Sequence, residues 1–159
     1  MLFSFSATAQ PAGVSDIEAM LGDDGRFLSP PVGVSESAML GLMVPQVLEE
    51  YGSPQRLFSI RGDESWQDDV VFFYNGFVYF YWFEDRVWQV RFDYRHNGMV
   101  AGVKMGQTFD EVIAALGSPH YGGSNEIFFD AQDRGFPIRL RLVFKDDRLH
   151  DLYLYRSDF

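Results

Sequence analysis

An internal echo constrains this chain more than any other feature. Gly41-Leu42-Met43-Val44-Pro45-Gln46-Val47-Leu48-Glu49-Glu50-Tyr51-Gly52-Ser53-Pro54 aligns without a gap with Gly106-Gln107-Thr108-Phe109-Asp110-Glu111-Val112-Ile113-Ala114-Ala115-Leu116-Gly117-Ser118-Pro119, at an offset of 65. The same offset pairs Gly33 with Gly98, and Asp85-Arg86-Val87 matches Asp147-Arg148-Leu149 at an offset of 62. Self-similarity of this kind marks a duplicated supersecondary unit. It predicts an α+β fold of two tandem helix-plus-antiparallel-sheet repeats, with the helices on one face and the other sheet face open. The implied divisions are a leader over 1–14, an N-terminal helix (15–21) and linker up to 32, a first repeat over 33–97 and a second over 98–159.

Each copy can be decoded physically. Thr108 is a natural N-cap, and Glu111 three residues later completes a capping box. Pro45 stands early in the first helix, where a missing N–H costs nothing. Val47, Leu48 and Tyr51, like Val112, Ile113 and Leu116, form one apolar stripe. Gly52 and Gly117 are expected to end the helices in a left-handed conformation, with Pro54 and Pro119 blocking continuation. Helices this short need a sheet to pack on.

Strands follow each helix. In the first copy 70–74 and 77–83 flank Asn75-Gly76, a type I′ hairpin signal, and a three-residue turn at 84–86 leads into 87–95. In the second copy the parts are 126–130, Ile138–Lys145 and 149–156, with a three-residue turn at 146–148. Residues 55–60 are a candidate extra strand. Strand alternation puts Ile138, Leu140, Leu142, Phe144, Leu152 and Leu154 in the core, and by analogy Val78, Phe80, Trp82, Trp88, Val90 and Phe92.

The opposite face then collects Phe72, Tyr74, Tyr79, Tyr81, Phe83, Gln89 and Arg91, joined by Arg139, Arg141, Asp151, Tyr153 and Tyr155. Solvated sheet faces carry small polar and charged residues. Tyr, Phe and Arg are instead the residue types enriched at protein–protein contacts. The candidate partner-binding residues are therefore Tyr74, Tyr79, Tyr81, Phe83, Arg91, Arg139, Arg141, Tyr153 and Tyr155. A homodimer through the same face, or a layer of the chain's own segments, is the alternative cover.

Composition limits the partners. With Asp and Glu at 23 against 13 Lys and Arg, the formal net charge is -10. Nucleic acids and anionic membranes both need a basic footprint, so neither is an expected partner. No apolar run reaches 18 residues, so no membrane span is expected. There is no cysteine, which removes disulfides, thiolate metal sites and a thiol nucleophile. Ala7-Thr8-Ala9 resembles a signal-peptidase box. It points to a periplasmic or secreted protein, although the stretch before it is short and lacks a basic region, and a simple leader is the other reading.

The Gly-x-Thr-x-x-x-Val-x-x-x-Leu-Gly-x-Pro block, matched by Gly106, Thr108, Val112, Leu116, Gly117 and Pro119 and less fully by Gly41, Val47, Gly52 and Pro54, resembles the beta-lactamase inhibitor protein family. The single unit is also similar to small outer-membrane lipoproteins of the beta-barrel assembly machinery. The resemblance implies an extracytoplasmic protein that grips another protein with its sheet. It departs from both families, because the inhibitors carry a disulfide in each repeat and the lipoproteins begin at a lipidated cysteine.

No arrangement of catalytic or metal-ligating residues stands out. His96, His120 and His150 lack metal-ligand spacing, and no nucleophile elbow, P-loop or dinucleotide fingerprint occurs. The acidic clusters Asp63-Glu64 with Asp68-Asp69, and Asp130 with Asp133, lack the alternation of a calcium loop. Arg61-Gly62-Asp63 suits an ordinary turn. The expectation is a non-enzymatic, inhibitor-like binding module without cofactor or metal. The alternatives are a cell-envelope assembly or scaffold factor and, more weakly, a small-ligand binder.

Overall fold

The computed structural model describes residues 31–63 and 68–159; the expected leader, the helix over 15–21 and most of the linker lie outside them. Two eight-residue α-helices are present among the described residues, α1 (Val44–Tyr51) and α2 (Phe109–Leu116). A 3-10 turn at Ser35–Met39 precedes them. The strands are β1 (Arg56–Ile60), β2 (Asp69–Tyr74), β3 (Val78–Phe83), β4 (Arg86–Phe92), β5 (Met99–Val100), β6 (Val103–Lys104), β7 (Tyr121–Gly122), β8 (Glu126–Ala131), β9 (Ile138–Lys145) and β10 (Arg148–Arg156).

The expected pair of helix-backed sheets is not what forms. Eight strands join in a single sheet of order β1-β2-β3-β4-β10-β9-β8-β7, and β5-β6 makes a separate ribbon. Every named pairing is antiparallel. The decisive joint is β4 with β10, where Phe92, Arg91, Val90 and Gln89 face Leu152, Tyr153, Leu154 and Tyr155. Two separate sheets would each leave a long apolar strand edge unpaired, and pairing β4 with β10 removes both edges at once. The architecture is thus one broad antiparallel sheet with two short helices, and the reading as two tandem helix-plus-sheet units is corrected.

Local chemistry explains the elements. Thr108 Oγ1 accepts from the Glu111 N–H at 3.3 Å, while Glu111 Oε2 accepts from the Thr108 N–H at 2.7 Å, closing the capping box of α2. In α1 only the return half has a side-chain bond, from the Met43 N–H to Gln46 Oε1 at 2.8 Å. Both helices end on glycine, but not in the expected left-handed helical conformation. Gly52 has φ 75° and ψ -166°, and Gly117 φ 84° and ψ -164°, a region open essentially to glycine alone.

Corresponding bonds tie each helix entry to the sheet. The Gly41 N–H donates to Val87 O and the Gly106 N–H to Leu149 O, each at 2.8 Å. Arg86 and Arg148 donate to Gly41 O and Gly106 O at 3.2 and 3.1 Å.

The core lies between the sheet and the helices. Val47 and Val112 are fully buried against Phe80, Val90, Phe129, Leu140, Leu142, Leu152 and Leu154. Val34, Leu40, Val100 and Val103, from the 3-10 turn and the β5-β6 ribbon, complete it; neither of these two elements had a visible sequence signal.

Turn lengths differ from the sequence reading and move side chains between faces. The first hairpin loop has three residues, since Tyr74 pairs with Val78 and both Gly76 and Phe77 have positive φ. A two-residue Asn75-Gly76 turn would have paired Tyr74 with Phe77. The one-residue shift inverts β2. Tyr74 and Phe72 consequently lie on the helix side, with Tyr74 packed on Tyr51 and Phe80 and its hydroxyl donating to Gly52 O at 2.9 Å. The turns at 84–85 and 146–147 are two-residue, not three-residue, with Phe83 opposite Arg86 and Lys145 opposite Arg148. Both central residues of each have positive φ, as a type I′ turn requires.

Candidate functional site

One row crosses the sheet on the face away from the helices. Reading the pairings in order, Arg56, Phe73, Tyr79, Arg91, Tyr153, Arg141, Phe128 and Tyr121 stand side by side on all eight strands. A second row runs through Phe58, Val71, Tyr81, Gln89, Tyr155, Arg139 and Asp130. Neighbours across an antiparallel pair lie close enough for their side chains to interact, and here guanidinium groups lie over rings. Arg91 sits 5.1 Å from the Tyr79 centroid and 5.6 Å from that of Tyr153. Arg141 lies 5.2 Å from Tyr153, and Arg139 4.9 Å from Tyr121. Each such contact contributes on the order of 0.5–1 kcal/mol at exposed sites.

Every arginine in the middle of these rows is also held by a carboxylate. Arg91 Nε donates to Asp151 Oδ1 at 2.7 Å, Arg141 Nε to Glu126 Oε2 at 2.7 Å, and Arg139 Nε to Asp130 Oδ1 at 3.3 Å. Asp151 Oδ2 meets His150 Nδ1 at 2.6 Å, and the His150 ring stacks on Tyr94 at 4.7 Å. Close by, buried Asp93 accepts from the Tyr79 hydroxyl at 2.8 Å and from the backbone N–H of Arg95 at 2.9 Å. The centre of the face is therefore a neutralised lattice of rings and ion pairs. Burial pushes the Tyr81, Tyr153 and Tyr155 hydroxyls above their ordinary range, against the pull of the neighbouring arginines.

Eight of the nine sequence-predicted residues share this face: Tyr79, Tyr81, Phe83, Arg91, Arg139, Arg141, Tyr153 and Tyr155. Tyr74 is removed from the set by the inverted register. Exposure among the eight is uneven. Tyr81 is 7% exposed and is a support rather than a contact, whereas the Arg141 side chain keeps 41% of its surface.

Trp88, expected in the core, is on this face instead. The register shifts between Tyr81 and Trp82, so Val87 takes the core position opposite Trp82. Trp88 is the extra residue of the bulge. Its ring approaches Tyr81 and Phe159, and its indole N–H donates to Asp69 Oδ1 at 3.2 Å. The matching shift in β10 lies between Leu149 and Asp151 and releases His150 in the same way. Phe73 was missed because the expected two-residue turn put Phe72 and Tyr74 on this face in its place, and Phe128 and Tyr121 because no turn in the sequence set the register of their strands. Glu126 and Asp130 stand two residues either side of Phe128 on β8, on the same face, and carried the signal that could have found it. Among the described residues, no group of three or more His, Asp or Glu side chains could hold a metal ion.

No known sequence family matches the chain, and no curated protein does. Its fold is similar to an extracellular protein containing an SCP domain from Bacillus anthracis, with TM-score 0.50 and 12% identity over 82% of this chain and 48% of that one. It is also similar to a cysteine-rich secretory protein from Staphylococcus aureus, with TM-score 0.54 and 11% identity over 80% and 47%. The chain spans about half the length of either protein. At such identities the likeness is one of fold alone. These matches and the single eight-stranded sheet replace the expected kinship with beta-lactamase inhibitor proteins and assembly lipoproteins: the chain's fold is the one it shares with part of each of these two proteins.

Proposed function

We propose that the chain is a non-enzymatic, extracytoplasmic binding module that engages a protein partner through the Tyr–Arg row of its sheet. The observation that carries this reading is the row itself. A sheet face with no described helix on it presents ordered Tyr and Arg side chains, the types that dominate binding energy at protein interfaces. Pre-ordering by ion pairs and neighbouring rings lowers the entropy lost when a partner docks. An extracytoplasmic setting is supported by the extracellular protein and the secretory protein that share the fold.

The test is comparative capture. The immobilised chain is exposed to a cell-envelope extract and to culture medium of its source, beside an Arg141→Ala/Tyr153→Ala variant and a Lys145→Ala control at a turn edge. The expected result is a partner held by the wild type and the control and lost by a double variant that stays folded at the assay temperature, with a slightly lowered melting temperature. Equal capture by a folded double variant overturns the reading.

A further inference from the structure

Beside β4 lies a cavity of about 590 Å³ lined by Arg61, Gly62, Asp63, Asp69, Phe83, Trp88 and Phe159, within the usual size range of small-molecule sites. Its apolar wall is a contiguous aromatic cluster, with Phe159 5.0 Å from Phe83 and 6.3 Å from Trp88. Its polar groups contrast with those of the row. There each central arginine is already paired, whereas no described residue pairs with the Arg61 guanidinium or the Asp63 carboxylate, although the two stand only two positions apart. Asp69, half-buried, receives a single described side-chain hydrogen bond, from the Trp88 indole. Burial raises its carboxyl above the ordinary value, which that bond offsets and nearby Asp68 reinforces.

We infer that this cavity is a saccharide-binding site, in which a neutral pyranose stacks its C–H face on Trp88 and Phe159 while its hydroxyls donate to Asp63 and Asp69 and accept from Arg61. The mixture of groups selects the ligand class. A carboxylate or phosphate ligand would face two aspartates, and an organic cation would face the arginine. A sugar offers donors and acceptors together around an apolar face, and it can satisfy all three polar groups. The Trp88–Asp69 bond fixes the indole plane, so the stacking surface exists before the ligand arrives. The cavity shares Phe83 with the candidate partner-binding set, but Arg141 and Tyr153 at the centre of the row lie outside it, so each site has its own readout.

Isothermal titration with cellotetraose, maltotetraose and N-acetylchitotetraose tests the inference. At least one is expected to bind saturably, and Trp88→Ala and Asp69→Asn are each expected to weaken it by about tenfold or more, the effect of losing a stacked ring or a hydrogen bond to a charged group. Asp63→Asn, at an exposed position that cannot unfold the sheet, should weaken the same sugar, while Arg141→Ala should leave it unchanged. Saturation by none of the three sugars, or affinity that survives both Trp88→Ala and Asp63→Asn, overturns the inference. So does binding of tetramethylammonium in place of the sugars, which would make the cavity a cation site. Loss of partner capture with intact sugar binding, or the reverse, separates this inference from the proposed function.

Discussion

Asp151 on β10 holds Arg91 on β4 with one carboxylate oxygen and His150 with the other, so a single side chain clamps the joint between the two halves of the sheet. Asp151 is 7% exposed. Its removal leaves a half-buried guanidinium without its acceptor. Asp151→Ala should cost about 1.5–3 kcal/mol, the range for hydrogen bonds to charged groups, read as a drop in urea midpoint at unchanged m value. A midpoint unchanged from wild type would show that the clamp is decorative.

Neighbouring residues at the second bulge should behave in opposite ways. Leu149 is 1% exposed and lies across from Phe144, whereas His150 points to the other face. Leu149→Ala is expected to cost about 2–5 kcal/mol, as for other buried leucines. His150→Ala should stay within about 1 kcal/mol, near the surface range. Similar losses for both would mean that the register shift is misplaced.

Acid should weaken the protein partly through Asp93. Burial pushes this carboxyl up, but the hydrogen bonds from Arg95 and from the Tyr79 hydroxyl outweigh it and hold it below its ordinary value. A carboxyl depressed in the folded state adds stability that is fully present above its unfolded value, near pH 4, and is lost as pH falls through the folded one. Asp93→Asn should therefore have a lower melting temperature than wild type at neutral pH, and the gap should narrow below about pH 4. A gap that stays constant down to acid would exclude this linkage.

The two helix starts should differ in sensitivity. Thr108→Ala removes a side-chain cap and should cost about 1 kcal/mol. Met43→Ala at the equivalent position removes no side-chain cap, because the bond there runs from the Met43 backbone to Gln46. Differential scanning calorimetry of the two variants would show the asymmetry, and equal shifts would deny it.

Partner binding through the row should depend only weakly on salt. Arg91, Arg139 and Arg141 are each matched by an acid on the same face, so little net charge is left to steer an approach. The dissociation rate should rise about 30-fold in Tyr153→Ala, as for an interface hot spot, while the association rate changes little between low and physiological salt. A steep salt dependence of association would point to a charged partner read by other residues.

Local features were legible in the sequence, and long-range ones were not. The Thr108–Glu111 box, the glycine helix ends and the alternation over Ile138–Lys145 each depend on residues close together in the chain, and they could be read there. The β4-β10 joint depends on no local signal: Val90 and Leu154 read as core residues whether they share a sheet or not. Tyr74 and Trp88 went to the wrong faces for a smaller reason. A hairpin loop one residue longer than Asn-Gly implies inverts β2, and a bulge beside Tyr81 swaps Val87 and Trp88 between faces while Val90 and Phe92 stay in the core. The repeat did hold a clue to the bulge, since Val87 matches Leu149 and both are core.

The position of the β4-β10 joint limits how this polypeptide can be divided. A cut between 93 and 98 falls between two stretches that look self-sufficient in the sequence, yet it would strip each piece of its neighbour across the joint and bare a rim of unsatisfied amides flanked by Phe92 and Val90 on one side and by Leu152 and Leu154 on the other. Neither piece should stay dispersed alone. Produced together, they should zip into a nicked but native whole, which makes the molecule a natural candidate for split-protein complementation.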